Sequence, residues 1–467
     1  MSPPPGIYIK YRTRHGWWGY EFLPETLDMC AEFAYIRVPV PQRARWRVRL
    51  HLPIPMTLNR SMRARALLCL ACLLSPLAKA GDIKAAPDAV PTPVASVAGL
   101  DGIRFSCRPP QIDKLESDMS AYLIELDIGP ELVLRQADRA GGVLRYTLKT
   151  PATDVDTLGL HDRPALKIVD QMIKLPTADG GVRDVLTVSR KEILLALLQH
   201  GRLTEFKGDA CDVAVLRDHV AIRQNTVAWA ESLEWRWPDG EAAEWNLKYW
   251  KRGTPQPGFP LHEAINDVFT HQQQYAIGCY TATKLAMIQG VLDYYRRVKQ
   301  DPVQLARIEQ RLAADREPLV DIEPGVMWNF ETDYDARELT RPGKLLKIEY
   351  GIAPNNFIPG DWVYFLNTDA VSYQKLGYEG SNAIYLGRNR FDDYYNDNEH
   401  SYTYQEKLDE VYQWRHGVFS RSRDFAKIHP LSESELTTLH KTPAQGGIVT
   451  DLRVFPYFYG AETLPPM

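Results

Sequence analysis

The 467-residue sequence predicts an α+β fold in two parts. Two observations carry that expectation. Short β-like runs, broken by glycine turns and one capped helix, fill the stretch up to residue 238. Beyond it, a cysteine heads a long apolar helix, and two short aromatic strands follow. The composition agrees, because 45% hydrophobic and 24% charged residues is the balance of a globular chain with a core to bury. The formal net charge of -4 offers no basic arm, so nucleic acid is not an expected partner.

The elements run in this order. Residues 1–61 are rich in Arg, Trp and Pro and show no helix or strand period; they read as an upstream extension of the gene. Residues 62–80 carry the three parts of a secretory signal peptide: a basic Met62–Arg65, an apolar Ala66–Ala78, and an Ala78-Lys79-Ala80 cleavage site. The apolar run falls short of the about 20 residues a bilayer span needs. The mature chain is therefore expected to have no stable membrane span. It is expected to be periplasmic or secreted after cleavage near Ala80. A buried segment of a larger domain is the other reading of the same residues. Residues 1–80 hold twelve of the 55 basic and four of the 59 acidic residues, which leaves the remaining 387 residues a net charge of -12. Residues 81–98, small and proline-rich, read as a flexible leader.

Residues 99–238 read as a small α+β accessory region. Strands are expected at Tyr122–Leu126, Val143–Leu148, Ala165–Val169 and Val185–Val188, with turns at Gly141-Gly142 and Ala178–Gly181. Ser189-Arg-Lys-Glu192 has capping-box spacing and precedes the apolar Ile193–Leu198. Three cysteines lie beyond residue 80. An exported chain meets an oxidising compartment, where three thiols suggest one disulfide and one free thiol. Cys107 and Cys211 are the candidate pair. Trp235, Trp237, Trp245 and Trp250 suggest an aromatic seam between the two parts, or a substrate-lining surface.

Residues 239–467 hold the chemistry. After Cys279, the residues Ala282, Leu285, Ile288, Leu292 and Tyr295 recur at three- and four-residue spacings, one apolar helical face. Cys279 then sits at a helix N-terminus, where unpaired N–H groups and the dipole favour a thiolate and can hold an oxyanion. A buried structural cysteine fits the same position. Trp362–Phe365 and Ala383–Leu386 read as strands, with Pro359-Gly360-Asp361 as a turn whose carboxylate accepts backbone N–H bonds. A cysteine-headed helix followed by strands of a small sheet is the layout of papain-like cysteine enzymes.

Specific residues sharpen this. Ala264-Ile265-x-Asp267, Tyr275-Ala276-x-x-Cys279-x-Thr281-Ala282, Pro359-Gly360-Asp361-x-Val363-Tyr364-Phe365 and Gly380-x-Asn382-x-Ile384-Tyr385-Leu386-Gly387 occur in order. This pattern resembles the spore-coat-type bacterial protein-glutamine gamma-glutamyltransferases, calcium-independent transglutaminases with a papain-like core. It spans residues 245 to 425 approximately. The resemblance implies that a Cys279 thiolate attacks a protein glutamine, and that a lysine amine or water takes up the acyl group. It implies protein substrates bearing glutamine and lysine, and no metal or organic cofactor.

One departure stands out. The family's glutamate between the Gly and Asn of the last motif, paired with its cysteine, is Ser381 here, and the family's acidic residue before the cysteine is Gly278. Glu379, two residues from Ser381 and so on the same face of a strand, is one candidate partner for Cys279. His400, in the loop Asp392–Tyr404, is the other; either is also an ordinary surface residue. That loop's spacing fits no EF-hand, and no metal site is expected. Two alternatives stay open: a cell-wall cysteine peptidase or amidase, and a catalytically silent domain that binds envelope proteins.

Overall fold

The computed structural model describes residues 7–12, 18–23, 101–238, 243–251, 253–314, 347–349, 352–353, 355–366, 378, 380–392, 394, 401–415, 432–434, 437 and 449–454. The chain forms two compact units, Met1–Ala89 and Val90–Met467. In the first, β1 (Ile7–Arg12) and β2 (Trp18–Leu23) pair as an antiparallel hairpin, where the sequence shows no strand period. The signal-peptide segment and the leader lie outside the described residues.

The second unit begins with a four-stranded sheet. Its strands are β3 (Gly102–Ser106), β4 (Val133–Asp138), β5 (Val143–Leu148) and β8 (Leu203–Lys207), in the order β4-β5-β3-β8. Strands β6 (Gln171–Pro176) and β7 (Val182–Thr187) form a separate hairpin. Both hairpins turn at the expected glycines, Gly142 (φ 69°) and Gly180 (φ 81°). Cys107, just past β3, and Cys211 form a disulfide, their Cα atoms 5.7 Å apart.

Two expected strands are absent. Tyr122–Glu125 are the last turn of helix α1 (Ile112–Glu125). Its buried Ile112, Leu115, Met119, Tyr122 and Leu123 make a helical stripe that begins ten residues before the β-like run. Residues 164–166 form a 3-10 turn that Pro164 starts and Lys167 ends at φ 47°. A locked proline φ and a left-handed residue three positions on leave no room for a strand there.

Helix α2 (Arg190–Leu198) is capped by the Ser189 hydroxyl, which accepts from Glu192 N–H at 3.2 Å. The Glu192 carboxylate does not return to Ser189. It meets His161 Nδ1 at 2.9 Å and accepts from Arg388 N–H at 2.7 Å, tying the helix to the 387–390 turn. The glutamate of a capping-box spacing has here been diverted to tertiary use.

Helix α3 (Val213–Ala230), capped by Asp212, runs against α5 (Cys279–Asp293). Both are buried nearly all round. They cross closely because of Gly290: a Cβ there would lie 2.7 Å from Thr226 Cα. Asn225 donates to the Gly290 carbonyl at 2.9 Å, and Trp229 Nε1 donates to Asp293 at 2.9 Å. Helices α4 (Leu261–Thr270) and α6 (Pro302–Ala314) flank α5. The short strands β9 (Trp250–Lys251) and β10 (Thr254–Pro255) precede α4. Trp235, Trp245 and Trp250 are buried in this core, and Trp245 packs on Trp250 with ring centroids 5.0 Å apart.

Packed against both α5 and α3 through β13 is an antiparallel sheet of β11 (Lys347–Glu349), β12 (Trp362–Leu366), β13 (Gly380–Gly387), β14 (Arg390–Asp392), β15 (Ser401–Tyr402) and β16 (Val449–Val454), in the order β11-β16-β12-β13-β14-β15. Strand β13 is buried on both faces. Ile384 and Leu386 join the core around α5. Ala383 and Tyr385 join a second core with Phe357, Phe391 and Leu408 and Trp414 of α7 (Tyr404–Arg415). The α+β class is therefore as the sequence predicts, with a cysteine-headed helix packed on an antiparallel sheet, the papain-like layout.

Candidate active site

The segment before Cys279 is held by motif residues. Asp267, buried near the end of α4, accepts from Tyr275 OH at 2.5 Å and from Asn246 Nδ2 at 2.7 Å, and pairs with His271 Nδ1 at 2.8 Å. Burial and the Asp267 carboxylate push the Tyr275 phenol far above its usual value, so it remains a proton donor. Ala276 bridges to both Arg236 and Glu244. The chain thus arrives at Gly278 in extended conformation (φ -73°, ψ 158°), and α5 starts at Cys279. Trp237 lies beside Gly278: a Cβ there would sit 3.9 Å from Trp237 Cζ3. Trp237 thus lies beside the residue that precedes Cys279.

Cys279 is half-buried and carries a free thiol. Asn382 Nδ2 lies 3.5 Å from its sulfur. Trp362 Nε1 donates to Asn382 Oδ1 at 2.9 Å, and the Trp362 ring packs 5.1 Å from that of Tyr280. Thr283 Oγ1 donates to the Cys279 carbonyl at 2.7 Å and lies 2.8 Å from Tyr394 OH. The first turn of α5 is thereby pinned from the helix interior and from the strand side together.

Strand parity separates Ser381 from Asn382. Asn382 shares its face with Ile384 and Leu386, toward α5. Ser381 points the other way, where Lys407 of α7 donates to its hydroxyl at 3.3 Å. Lys407 also pairs with Glu410 at 3.1 Å, and all three side chains are buried. Glu379 and His400 both lie outside the described residues. Among the described residues, the side chain that meets the Cys279 sulfur is Asn382, which the sequence presents only as a motif position. The signal available was its parity with Ile384 and Leu386 on an alternating strand.

Asp361 is a structural residue. Its carboxylate, fully buried, takes charge-assisted bonds from Arg202 (Nη2 at 3.1 Å, with Nη1 also in contact) and from Arg223 Nη1 at 2.9 Å. It also accepts Ile358 N–H at 2.8 Å, as a turn carboxylate does. Burial opposes its ionisation, but the two guanidinium groups outweigh that and hold the carboxyl below its usual value. Gly360 (φ 87°) lets the turn approach α3, since a Cβ there would meet Arg223 Cα at 3.2 Å. The pair Arg202 and Arg223 gave no pattern in the sequence, because they lie 159 and 138 positions from their partner.

Comparison with known proteins accords with this site. The family model described as protein-glutamine gamma-glutamyltransferase matches residues 176–406, which contain Cys279, Asp361 and Asn382. Over those residues the chain is therefore similar to this acyltransferase family. Among solved structures, the chain is similar to a transglutaminase from Geobacillus stearothermophilus (without its C-terminal extension), at 18% identity, 55% coverage of this chain, 97% of that one and a TM-score of 0.34. No curated protein matches.

Proposed function

We propose that the protein is a protein-glutamine gamma-glutamyltransferase with Cys279 as its nucleophile. The observation that carries this is a half-buried free thiol at the head of α5, inside the matched domain and next to an amide donor. In the proposed reaction the sulfur adds to a glutamine carboxamide carbon. The oxyanion that forms faces the N–H groups of the α5 N-terminus. The thiol proton leaves with the departing ammonia, giving a thioester. A lysine amine then attacks that thioester, forming the isopeptide bond and restoring the thiol; water in its place yields glutamate. The substrates are proteins that present glutamine and lysine side chains.

The test mixes the protein with a glutamine-bearing protein and a fluorescent primary amine. Covalent labelling that disappears in Cys279→Ala is expected. Absent labelling together with release of muropeptides would replace the transferase with a cell-wall cysteine hydrolase. Export is part of the same proposal. The signal-peptide pattern supports it, as does the Cys107–Cys211 disulfide, which suits an oxidising compartment. No helix among the described residues is long and apolar enough to cross a membrane. Mass spectrometry of the exported protein is expected to find an N-terminus at Gly81; an N-terminus at Met1 would refute the processing step.

A further inference from the structure

We infer that Asn382, locked in one amide orientation by Trp362, is the hydrogen-bond donor that stabilises the Cys279 thiolate. This rests on Cys279 as the nucleophile and adds the group that activates it.

The orientation follows from donor chemistry. An indole N–H can only donate. The Asn382 atom 2.9 Å from Trp362 Nε1 is therefore the amide oxygen, and the NH₂ end must face the sulfur 3.5 Å away. Trp362 cannot swing aside, because it is fully buried and packs on Tyr280. Asn382 is itself 5% exposed, so little water competes for its N–H. Hydrogen bonds to a charged acceptor are stronger than those to a neutral one, so a fixed donor at a sulfur favours the thiolate over the thiol. The α5 N-terminus acts in the same direction.

Other ionisable groups lie on the surrounding elements, among them the buried Lys284 of α5. Tyr280 follows the cysteine on α5, and Tyr364 is the β12 residue paired with Asn382. Tyr394 OH meets Thr283, and the Arg236–Glu244 pair flanks the bridge to Ala276. Ser381 and Lys407 lie on the opposite face of β13. An amide neither gains nor loses a proton near neutral pH, so Asn382 can tune the thiol but cannot be its base.

The test follows iodoacetamide alkylation of the Cys279 peptide by mass spectrometry from pH 5 to 10. It compares the wild-type protein with Asn382→Leu, Asn382→Asp and Trp362→Phe, alongside a melting curve for each. Transferase activity is not needed for this readout. Asn382→Leu is expected to raise the alkylation midpoint by about one pH unit, the scale of one charged hydrogen bond. Asn382→Asp should raise it further, because a carboxylate then faces the thiolate. Trp362→Phe keeps the ring but frees the amide to flip, and should give a smaller rise. If Asn382→Leu fails to fold, Trp362→Phe decides. A midpoint that stays at the wild-type value in the folded variants overturns the inference and leaves Cys279 as nucleophile. A wild-type Cys279 that reacts no faster at neutral pH than a free model thiol overturns both.

Discussion

Replacing Asp361 by Asn should be the most damaging conservative change in the fold. The carboxylate is fully buried, and the guanidinium groups of Arg202 and Arg223 are 6% and 3% exposed. Asn keeps the shape and can still accept Ile358 N–H, but it leaves two buried cations around a neutral amide. Removing one member of a buried, hydrogen-bonded ion cluster costs about 3–5 kcal/mol, because the desolvated partners stay behind. That is about a hundredfold to several-thousandfold in the folded-to-unfolded ratio, at 1.4 kcal/mol per factor of ten. The assay is urea denaturation of the wild-type protein and the variant, followed by tryptophan fluorescence. The pH dependence has a definite sign. Arg202 and Arg223 hold the Asp361 carboxyl low against the opposing effect of burial. A depressed folded-state value gives stability that is present above the unfolded value of about 3.9 and lost as pH falls through the folded one. The gap between wild type and Asp361→Asn should therefore be constant from neutral pH to about pH 5 and narrow below about pH 4. Replacing all three residues together by apolar ones (Asp361→Leu, Arg202→Met, Arg223→Met) should cost less than Asp361→Asn alone. A single variant within about 1 kcal/mol of wild type at neutral pH would refute the reasoning, since that is the ordinary cost of an average substitution.

Two further outcomes follow from packing. Gly290→Ala should destabilise the fold by about 1–3 kcal/mol in the same denaturation assay, because its methyl meets the Thr226 backbone where α3 and α5 cross; an unchanged midpoint would mean that the helices separate at little cost. Ser381→Glu should leave the alkylation midpoint of Cys279 within about 0.3 pH unit of wild type while lowering stability by about 1–3 kcal/mol, as it crowds the buried Lys407–Glu410 pair; a shifted midpoint would place residue 381 on the cysteine side of the sheet.

The sequence made the local features legible and hid the long-range ones. The apolar spacing after Cys279 located α5, and Gly142 and Gly180 located two hairpin turns, because each signal lies within a few residues of the element it specifies. Tyr122–Glu125 misled because aromatic and branched residues were weighed over five positions, whereas the helical stripe needs Ile112 and Leu115 to be seen. Ser189 revealed the start of α2, but nothing near Glu192 showed that its carboxylate bonds to Arg388 N–H, 196 positions away. The same holds for Arg202 and Arg223 around Asp361. The candidate site was readable to the extent that helix and strand each carried a pattern, which is why Cys279 and the 380–387 motif were found and the Asn382–Trp362 contact was not.

The replacement of the family's glutamate by Ser381 takes on a different meaning once strand parity is known. Side chains alternate along β13, so Ser381 and Asn382 cannot both face the sulfur. The register is not free to slip by one residue. A slip would move Ile384 and Leu386 out of the α5 core and drive Ala383 and Tyr385 into it, emptying the site where Tyr385 now packs against Phe357 and Phe391 with ring centroids 5.6 and 5.0 Å away. Losing a buried tyrosine's packing on one face and overfilling the other would each cost several kcal/mol, as order of magnitude. The two cores therefore fix Asn382 toward Cys279 and Ser381 toward Lys407. A glutamate at 381 in this chain would meet a buried lysine, not the thiol. The serine is thus the residue suited to its own environment; under the proposal that Cys279 is the nucleophile, the N–H donors of the α5 N-terminus and the amide that Trp362 holds in place would favour its thiolate.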